Sequence, residues 1–237
     1  MYVSEKYKFI YYAPTKVASN TISFIIENYY EAKGFCPSDF DKEIGDNGWP
    51  PNEHHSVFLP EKYIDYFAFT SVRNPYIREI SKYNYLVEQS DLQKVYEEIG
   101  QMSFENYVDW VCKKGTVGFW RHDMWKMTMK DMLFKQPVPQ GCVPVRVDKF
   151  IKCENLKEDF LSLPFVKSNY KLKKILDSKI NFSKNHKETK FPDSCVEKIY
   201  RHFLEDFKSF DYNEKVPVYE PVKFEDLKEI KNGGMNG

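Results

Sequence analysis

Two short runs of apolar residues stand out in the hydrophobic pattern of the chain. Residues 8–13 read KFIYYA and residues 66–72 read YFAFTSV, and both runs are rich in aromatic and β-branched side chains. A strand that is buried on both faces shows such a continuous apolar run instead of the alternation of a half-exposed strand. The pattern therefore predicts two interior strands of a parallel sheet.

A helical spacing of apolar residues follows the first run. Between Ser19 and Lys33, one face of the predicted helix carries Ile22, Ile25, Ile26 and Tyr29. Gly34 follows this segment and is predicted to end the helix. Residues 35–56 are rich in Pro, Asp, Gly and Asn, which predicts a long loop or an insertion.

The rest of the pattern repeats the order of strand, loop and helix. Helices are predicted over residues 77–87, 92–113, 116–134, 155–163 and 194–207, and a further strand over residues 142–153. An extended segment is predicted from Asn213 onwards. This order favours an α/β fold with a mostly parallel sheet flanked by helices, in which ligands bind at the carboxyl ends of the strands.

Composition narrows the possible classes of protein. The 237 residues suit one α/β domain, and 35 Lys and Arg residues balance 35 Asp and Glu residues. A balanced chain has no overall field that would attract nucleic acid, so nucleic acid is not an expected partner. The five cysteines form no CxxC pair, and we interpret them as free thiols. Without a leader-like segment or a run of about eighteen apolar residues, the chain is predicted to be cytoplasmic with no membrane span.

The first polar stretch that follows a predicted strand is APTKVASNT, residues 13–21. Lys16 precedes the predicted helix, and Ser19, Asn20 and Thr21 fall in its first turn. The unpaired amides and the dipole of a helix N-terminus attract anions, and Lys16 adds a full positive charge. The glycines of a GxxxxGK[ST] phosphate loop are absent from the stretch. In the alternative interpretation, Ser19 or Asn20 caps an ordinary helix and Lys16 is a surface residue.

The second polar stretch is RNPYIREIS, residues 73–81. Arg73 comes directly after the second predicted strand, and Ser81 lies eight residues further on, within the predicted helix. Arginine can bind a phosphate through two hydrogen bonds, and a nearby hydroxyl can complete such a site. In the alternative interpretation, Arg73 caps a carbonyl or pairs with a core acid, and Ser81 is a surface residue. Arg78 is interpreted as a structural arginine.

Taken together, the two stretches resemble the phosphate-binding motifs of the sulfotransferase superfamily, and in particular of its carbohydrate (glycan) sulfotransferase branch. The motifs are Lys-Val-Ala-Ser-Asn-Thr after one strand and Val-Arg-Asn-Pro-Tyr-x-Arg-x-x-Ser-x-Tyr after a later one. Further similar segments are VDKFIKCENLKEDF (147–160), INFSKNH (180–186) and CVEKIYRHFLEDFKSFDY (195–212). The resemblance therefore covers about residues 8–212. Asn20 departs from the family, in which a second hydroxyl residue is common, and the segment around His122 follows its His-Trp-x-x-Gln pattern only loosely.

The resemblance implies that the donor is 3′-phosphoadenosine 5′-phosphosulfate (PAPS). The residues implied to bind its 5′-phosphosulfate are Lys16, Val17, Ala18, Ser19, Asn20 and Thr21. Arg73 and Ser81 are implied to bind its 3′-phosphate, and Lys16 is implied to stabilise the leaving phosphate as well. Since hydrogen-bond donors of the protein can stabilise the negative charge of the leaving phosphate, no metal is expected.

The segment NEHHSVFLPEKY, residues 52–63, supplies candidates for the base that deprotonates the acceptor. The resemblance places a catalytic histidine in a comparable His-x-x-x-x-Leu context before the second strand, and histidine titrates near neutral pH, so both histidines of the segment are candidates. His55 is ranked first. His54 is the second candidate and Glu53 the third. Trp120 and Trp125 are candidates for stacking against an acceptor sugar or against the adenine of the nucleotide.

The sequence thus predicts a single sulfotransferase domain over residues 1–237, frayed at residues 1–7 and 230–237, with a P-loop-like three-layer α/β fold. It is expected to move a sulfuryl group from PAPS to a hydroxyl of a saccharide or glycan and to release 3′-phosphoadenosine 5′-phosphate. Two alternatives of other classes remain: a P-loop-type small-molecule kinase, which would need Mg²⁺, and a non-catalytic nucleotide-binding module. The acceptor and the oligomeric state are left open.

Overall fold

The computed structural model describes residues 1–34, 58–90, 97–113, 126–135, 138, 141–167, 169–177 and 191–217. The chain divides into two compact units. The first unit comprises residues 1–73 and 117–172, and the second comprises residues 74–116 and 173–237. The single domain predicted from the sequence stays a prediction.

The strands belong to the first unit. In chain order they are β1 (Tyr2–Ser4), β2 (Phe9–Tyr12), β3 (Lys33–Gly34), β4 (Leu59–Pro60), β5 (Phe67–Val72), β6 (Cys142–Val143) and β7 (Lys149–Lys152). Within the described residues, five of them form one sheet in the order β3-β1-β2-β5-β7, and β4 pairs separately with β6. The strands predicted from the two apolar runs, β2 and β5, are confirmed.

The centre of the sheet is parallel. β2 and β5 pair up to Tyr12 opposite Thr70, and β5 and β7 pair up to Val72 opposite Lys152. Because these three strands run in the same direction, their carboxyl ends lie at one edge of the sheet. The shorter β1 and β3 are antiparallel to their neighbours. The predicted α/β class with a mostly parallel central sheet is confirmed.

Aromatic side chains from the apolar runs pack the core of the first unit. The rings of Phe9 and Phe165 stack with their centroids 4.1 Å apart, and those of Tyr11 and Phe69 stack at 4.9 Å. Phe9, Tyr11 and Phe69 are fully buried. Large aromatic rings bury more apolar area than aliphatic side chains do, so a few of them can supply much of the core of a short-stranded sheet.

The helices are distributed over both units. In chain order they are α1 (Ser19–Tyr29), α2 (Pro75–Ser90), α3 (Glu97–Gly100), α4 (Phe104–Cys112), α5 (Met129–Phe134), α6 (Leu156–Leu161), α7 (Tyr170–Asp177), α8 (Asp193–His202) and α9 (Leu204–Ser209). The first unit contains α1, α5 and α6, and the second contains α2, α3, α4, α8 and α9. Among the helices in the described ranges, none is both long and apolar enough to span a membrane.

The amino terminus differs from the prediction that residues 1–7 are frayed. Tyr2–Ser4 form β1, which pairs antiparallel with β2 after a turn in which Lys8 has φ 55°. Ser4 is buried, and its hydroxyl donates a hydrogen bond of 2.6 Å to the carbonyl oxygen of Tyr30. A terminal segment that pairs with a sheet and buries its side chains is held in place, whatever its position in the sequence.

The end of α1 also differs from the prediction. The helix ends at Tyr29 instead of Lys33, and Gly34 lies in β3 instead of acting as the stop residue. Glu31 adopts the left-handed conformation with φ 51°, and the amide of Ala32 donates to the carbonyl oxygen of Ile26 at 3.0 Å. This hydrogen bond closes the helix earlier and releases the chain to pair with β1.

Three longer elements of the prediction are divided. The strand predicted over residues 142–153 consists of β6 and β7, because Pro144 interrupts the run and the Asp148 side chain accepts a hydrogen bond from the amide of Ala68 at 2.8 Å. The helix predicted over residues 92–113 is divided where Ser103 caps α4 by accepting from the amide of Asn106 at 3.2 Å. The helix predicted over residues 194–207 is divided into α8 and α9.

Candidate functional site

The loop between β2 and α1 has an unusual backbone. Lys16 and Ala18 both adopt the left-handed conformation, with φ 62° and 59°, whereas Val17 between them does not. Left-handed conformations are disfavoured for residues other than glycine, by about 1–2 kcal/mol each. Left-handed residues can turn neighbouring amides towards a common concavity, which suits an anion. The loop has this feature although its sequence contains no glycine.

The first turn of α1 adds amides to this loop. Ala18 is the N-cap residue, and within the described residues no side chain caps the helix. The amides of Thr21 and Ile22 both donate to the carbonyl oxygen of Ala18 at 3.1 Å, so the amides of Ser19 and Asn20 precede the hydrogen-bonded ladder of the helix. The alternative in which Ser19 or Asn20 caps α1 is wrong. The positive end of the helix dipole faces the loop that carries Lys16.

Arg73 reaches this loop from the neighbouring strand. It follows β5 directly, is partly exposed, and donates a long hydrogen bond of 3.4 Å from Nη1 to the carbonyl oxygen of Lys16. The parallel register explains the approach, since β2 and β5 end side by side. The structure thus brings Lys16 and Arg73 together, and the alternative in which Arg73 binds a carbonyl group is also confirmed.

Side-chain hydrogen bonds fasten the ends of β2 and β5 to each other. Thr70 donates from Oγ1 to the carbonyl oxygen of Tyr12 at 2.9 Å. The hydroxyls of Tyr11 and Ser71 are 2.7 Å apart, and both residues are fully buried. These residues were not predicted from the sequence, because both runs are apolar overall. The hydroxyls near the carboxyl ends of otherwise apolar strands are the signal that could have revealed them.

Cys153 lies beside Arg73 at the end of the third parallel strand. β7 pairs with β5 up to Lys152 opposite Val72, so the next residues of the two strands, Cys153 and Arg73, follow at the same edge. Burial raises the pKa of the Cys153 thiol to about 12, although the charge of Arg73 acts in the opposite direction. This shift favours the protonated thiol at neutral pH, which is the less reactive form of cysteine.

The remaining predicted site residues lie in the second unit or outside the described residues. Ser81 lies on α2 in the second unit and is partly buried. The base candidates His55, His54 and Glu53 lie outside the described residues, as do Trp120, Trp125 and His122. The roles predicted for these residues stay predictions.

The second unit contains a buried cluster of charges on α2. Arg78, Glu79 and Lys82 are fully buried, and Lys82 Nζ donates to Glu79 Oε1 at 2.6 Å. Tyr107 of α4 donates its hydroxyl to Glu79 Oε2 at 2.9 Å, and Asp206 of α9 lies 4.0 Å from Arg78. The interpretation of Arg78 as a structural arginine is confirmed by these contacts. Below, these five residues are called the α2 charge cluster.

Burial changes the protonation behaviour of this cluster. Desolvation, together with the positive charge of Arg78, lowers the pKa of Lys82 from 10.5 to about 8, although Glu79 and Asp206 favour the charged form. Burial also raises the pKa of Tyr107 well above its usual value, so its hydroxyl keeps its proton and remains a donor to Glu79. The α2 charge cluster contains two cations and two carboxylates, so it is close to neutral at pH 7.

Comparison with known proteins identifies the family. The family model described as the sulfotransferase family matches residues 1–213 of the 237-residue chain. Neither a curated protein nor a solved structure matches the chain significantly. The matched range includes β2, the loop that carries Lys16, β5 and Arg73, and the mixed α/β fold is consistent with the P-loop-like fold of this family. The chain belongs to the sulfotransferase family.

Proposed function

We propose that the protein transfers a sulfuryl group from PAPS to a hydroxyl of a carbohydrate and releases 3′-phosphoadenosine 5′-phosphate. The observation that carries this proposal is the conformation of the β2–α1 loop. Left-handed Lys16 and Ala18 and the N-terminus of α1 present a backbone that suits an anion, and Arg73 adjoins it. These residues suit a ligand that carries phosphate groups, and PAPS is such a ligand.

The donor contacts follow from this arrangement and from the sequence motifs. The side chain of Val17 is fully buried, so Val17 would contribute its backbone amide. The residues proposed to bind the 5′-phosphosulfate are Lys16, Val17, Ala18, Ser19, Asn20 and Thr21. Arg73 is proposed to bind the 3′-phosphate. For Ser81 the same role rests on the sequence motif alone.

The reaction proposed is an in-line transfer. The acceptor oxygen forms a bond to sulfur while the bond between sulfur and the bridging phosphate oxygen breaks, and the acceptor proton passes to a base. Lys16 would neutralise the negative charge that develops on the leaving phosphate, with the amides of the loop sharing this charge. His55 is the first candidate for the base, followed by His54. Glu53 comes third, because histidine accepts a proton near neutral pH more readily than glutamate does.

The carbohydrate acceptor is proposed from the branch of the family that the motifs resemble. Sugar rings stack on aromatic side chains, and Trp120 and Trp125 are the candidates for this contact. The proposal therefore has two separable parts, the donor and the acceptor, and each part has its own experiment.

Ligand binding tests the donor. Thermal unfolding would be followed with 3′-phosphoadenosine 5′-phosphate, with ATP and Mg²⁺, and with adenosine as a control. A ligand at one hundred times its Kd stabilises the folded protein by about 2.7 kcal/mol, so the bisphosphate is expected to raise the Tm by several degrees. Stabilisation by ATP and Mg²⁺ without any by the bisphosphate would overturn the proposal in favour of a kinase.

Transfer of label tests the acceptor. PAPS labelled with ³⁵S would be incubated with the protein and a panel of glycans and of hydroxyl-bearing small molecules. Label is expected in at least one saccharide and not in the same saccharide with its hydroxyls methylated. Label in a non-carbohydrate alcohol alone would contradict the carbohydrate assignment. Binding of the bisphosphate without transfer to any acceptor would favour a nucleotide-binding module.

A further inference from the structure

Arg73 contacts the backbone of the loop that would hold the other end of the donor. Its Nη1 donates to the carbonyl oxygen of Lys16 at 3.4 Å, and Lys16 is one of the two left-handed residues of the loop. A charged donor makes a stronger hydrogen bond to a carbonyl than a neutral donor does. The contact therefore favours the loop conformation in which the Lys16 carbonyl is turned towards Arg73.

Buried hydrogen bonds connect the end of β5, next to Arg73, with the end of β2. Thr70 and Ser71, close to Arg73 in sequence, are hydrogen-bonded to the carbonyl of Tyr12 and to the hydroxyl of Tyr11. All four residues are fully buried. Because these hydrogen bonds join the two strand ends, the backbone of Arg73 is held at a fixed distance from the start of the β2–α1 loop. A hydrogen bond from the Arg73 side chain can therefore restrict the conformation of the loop.

We propose that Arg73 is a positioning residue for the β2–α1 loop in addition to its role as a ligand of the 3′-phosphate. By holding the Lys16 carbonyl it keeps the loop in the conformation that binds the 5′-phosphate, so that the two phosphate sites of the donor are coupled through one side chain. A guanidinium group has five donors in a planar fork and can bind a carbonyl and a phosphate at once, which a lysine ammonium does less well. This inference rests on the proposed function for the identity of the ligand.

Three variants separate the two roles of Arg73. Arg73→Ala removes both contacts, and Arg73→Lys keeps a charge for the 3′-phosphate but loses the fork. Arg146→Ala is the matched control, because Arg146 also donates to a backbone carbonyl, that of Tyr66, at 2.7 Å near the opposite end of β5. Arg73 and Arg146 thus make the same type of contact at the two ends of one strand.

Hydrogen–deuterium exchange of the ligand-free protein gives the first readout. The peptide that covers residues 13–22 is expected to exchange at least about threefold faster in Arg73→Ala and Arg73→Lys than in the wild type, because loop opening is no longer opposed. Arg146→Ala is expected to leave this peptide unchanged. Equal exchange of residues 13–22 in the wild type and in Arg73→Ala would overturn the inference, whatever the ligand of the protein.

The affinity for adenosine 5′-phosphate gives the second readout, since this nucleotide lacks the 3′-phosphate. Its Kd is expected to rise about three- to tenfold in Arg73→Ala and to stay unchanged in Arg146→Ala. An unchanged Kd for adenosine 5′-phosphate, with a weaker Kd for 3′-phosphoadenosine 5′-phosphate, would show that Arg73 acts on the 3′-phosphate alone and would also overturn the inference. Failure of the wild type to bind the bisphosphate would count against the proposed function instead, and the exchange result would still decide the role of Arg73.

Discussion

Two arginines of the same sequence motif, Arg73 and Arg78, occupy opposite environments. Arg73 is partly exposed at the end of β5 and contacts a backbone carbonyl in a loop with left-handed residues. Arg78 is fully buried in the α2 charge cluster and lies near the carboxylate of Asp206. Neither charge nor residue type separates them. What separates them is that the protein supplies Arg78 with a carboxylate and shields it from water, whereas it leaves Arg73 accessible to an anion.

A different physical effect opposes folding in each of the two regions that contain these arginines. In the α2 charge cluster, desolvation opposes four buried charges, and their mutual attraction compensates only if every partner is present. In the β2–α1 loop the cost is conformational, because Lys16 and Ala18 hold left-handed conformations. Substitutions in the cluster should therefore change stability, and substitutions in the loop should change ligand binding and turnover.

The largest effect is expected for Glu79→Gln. This change leaves Arg78 and Lys82 as two buried cations with Asp206 as the remaining carboxylate of the cluster. Removing one partner of a buried ion pair costs about 3–5 kcal/mol, so the free energy of unfolding in urea is expected to fall by that amount. A loss below about 1 kcal/mol would show that the cluster does not behave as a desolvated network.

The double variant Glu79→Gln with Lys82→Met provides the control for this result. It removes the second charge as well, and methionine has a length and an apolar stem similar to those of lysine. Most of the lost stability is expected to return, because the double variant leaves one cation and one carboxylate. If the stability losses of Glu79→Gln and Lys82→Met add up in the double variant, Glu79 and Lys82 do not interact. The contrast between the buried charges around Arg78 and the exposed Arg73 would then lose its physical basis.

A loss of activity of comparable size is expected for Lys16→Ala. Removing the charged group that is proposed to stabilise the leaving phosphate should lower kcat by about 10²–10³-fold. The free energy of unfolding should stay within about 0.5 kcal/mol of the wild type, because Lys16 is partly exposed and lies in a loop. Lys62→Ala, at an exposed lysine of the same unit, is the matched control and should retain full activity. A kcat within threefold of the wild type would remove Lys16 from the reacting centre.

An intermediate effect is expected for pH, and it should appear in the α2 charge cluster. The pKa of Lys82 is about 8 in the folded protein and 10.5 in the reference state. Between these values the unfolded chain binds the proton that the folded protein has released, so the free energy of unfolding should rise with pH. The gain between pH 7.5 and 9.5 is on the order of 1–2 kcal/mol relative to Lys82→Met, measured by urea unfolding. The charged or titratable groups around Lys82 are Arg78, Glu79, Tyr107 and Asp206.

This prediction would be contradicted if the difference in the free energy of unfolding between the wild type and Lys82→Met stayed constant with pH. Such a result would mean that Lys82 keeps its ordinary pKa and that water reaches the cluster. Buried tyrosines with raised pKa values, such as Tyr76 at about 12, destabilise the fold above pH 10. The comparison with Lys82→Met cancels their contribution, since both proteins contain them.

The sequence revealed the parallel centre of the fold because that part has a local signature. The apolar runs of β2 and β5 are continuous, and the polar residues that follow them mark the strand ends, so Lys16 and Arg73 could be placed at one edge of the sheet. β1 and β3 were missed because they are short and form through pairing with distant residues. The breaks in the helices were missed because helical spacing continues across Ser103 and Phe203 although the backbone does not.

The backbone conformation of the β2–α1 loop and its contact with Arg73 could not be predicted from the sequence. A left-handed lysine and a left-handed alanine contradict the local preference of both residues, so they are visible only in the folded chain. The contact between Arg73 and the Lys16 carbonyl requires the register of two strands. Charged residues are rarely fully buried, so the sequence of α2 did not predict a buried cluster. The partners of these charges lie on α4 and α9, far from α2 in the sequence.

The smallest effect is expected for Thr70→Val, which tests whether the strand ends hold the site. Valine has nearly the shape of threonine, so the change removes the hydrogen bond to the Tyr12 carbonyl and leaves the packing in place. The free energy of unfolding is expected to fall by about 1 kcal/mol, as for other buried hydrogen bonds, and the Kd for the bisphosphate to rise a few fold. Thr70→Ser keeps the hydroxyl and removes a methyl group, so it should retain the wild-type Kd even if its stability falls. If Thr70→Ser weakens binding as much as Thr70→Val does, packing and not the hydrogen bond connects the two strand ends. Arg73 would then be positioned by packing between the strand ends and not by the hydrogen bond of Thr70.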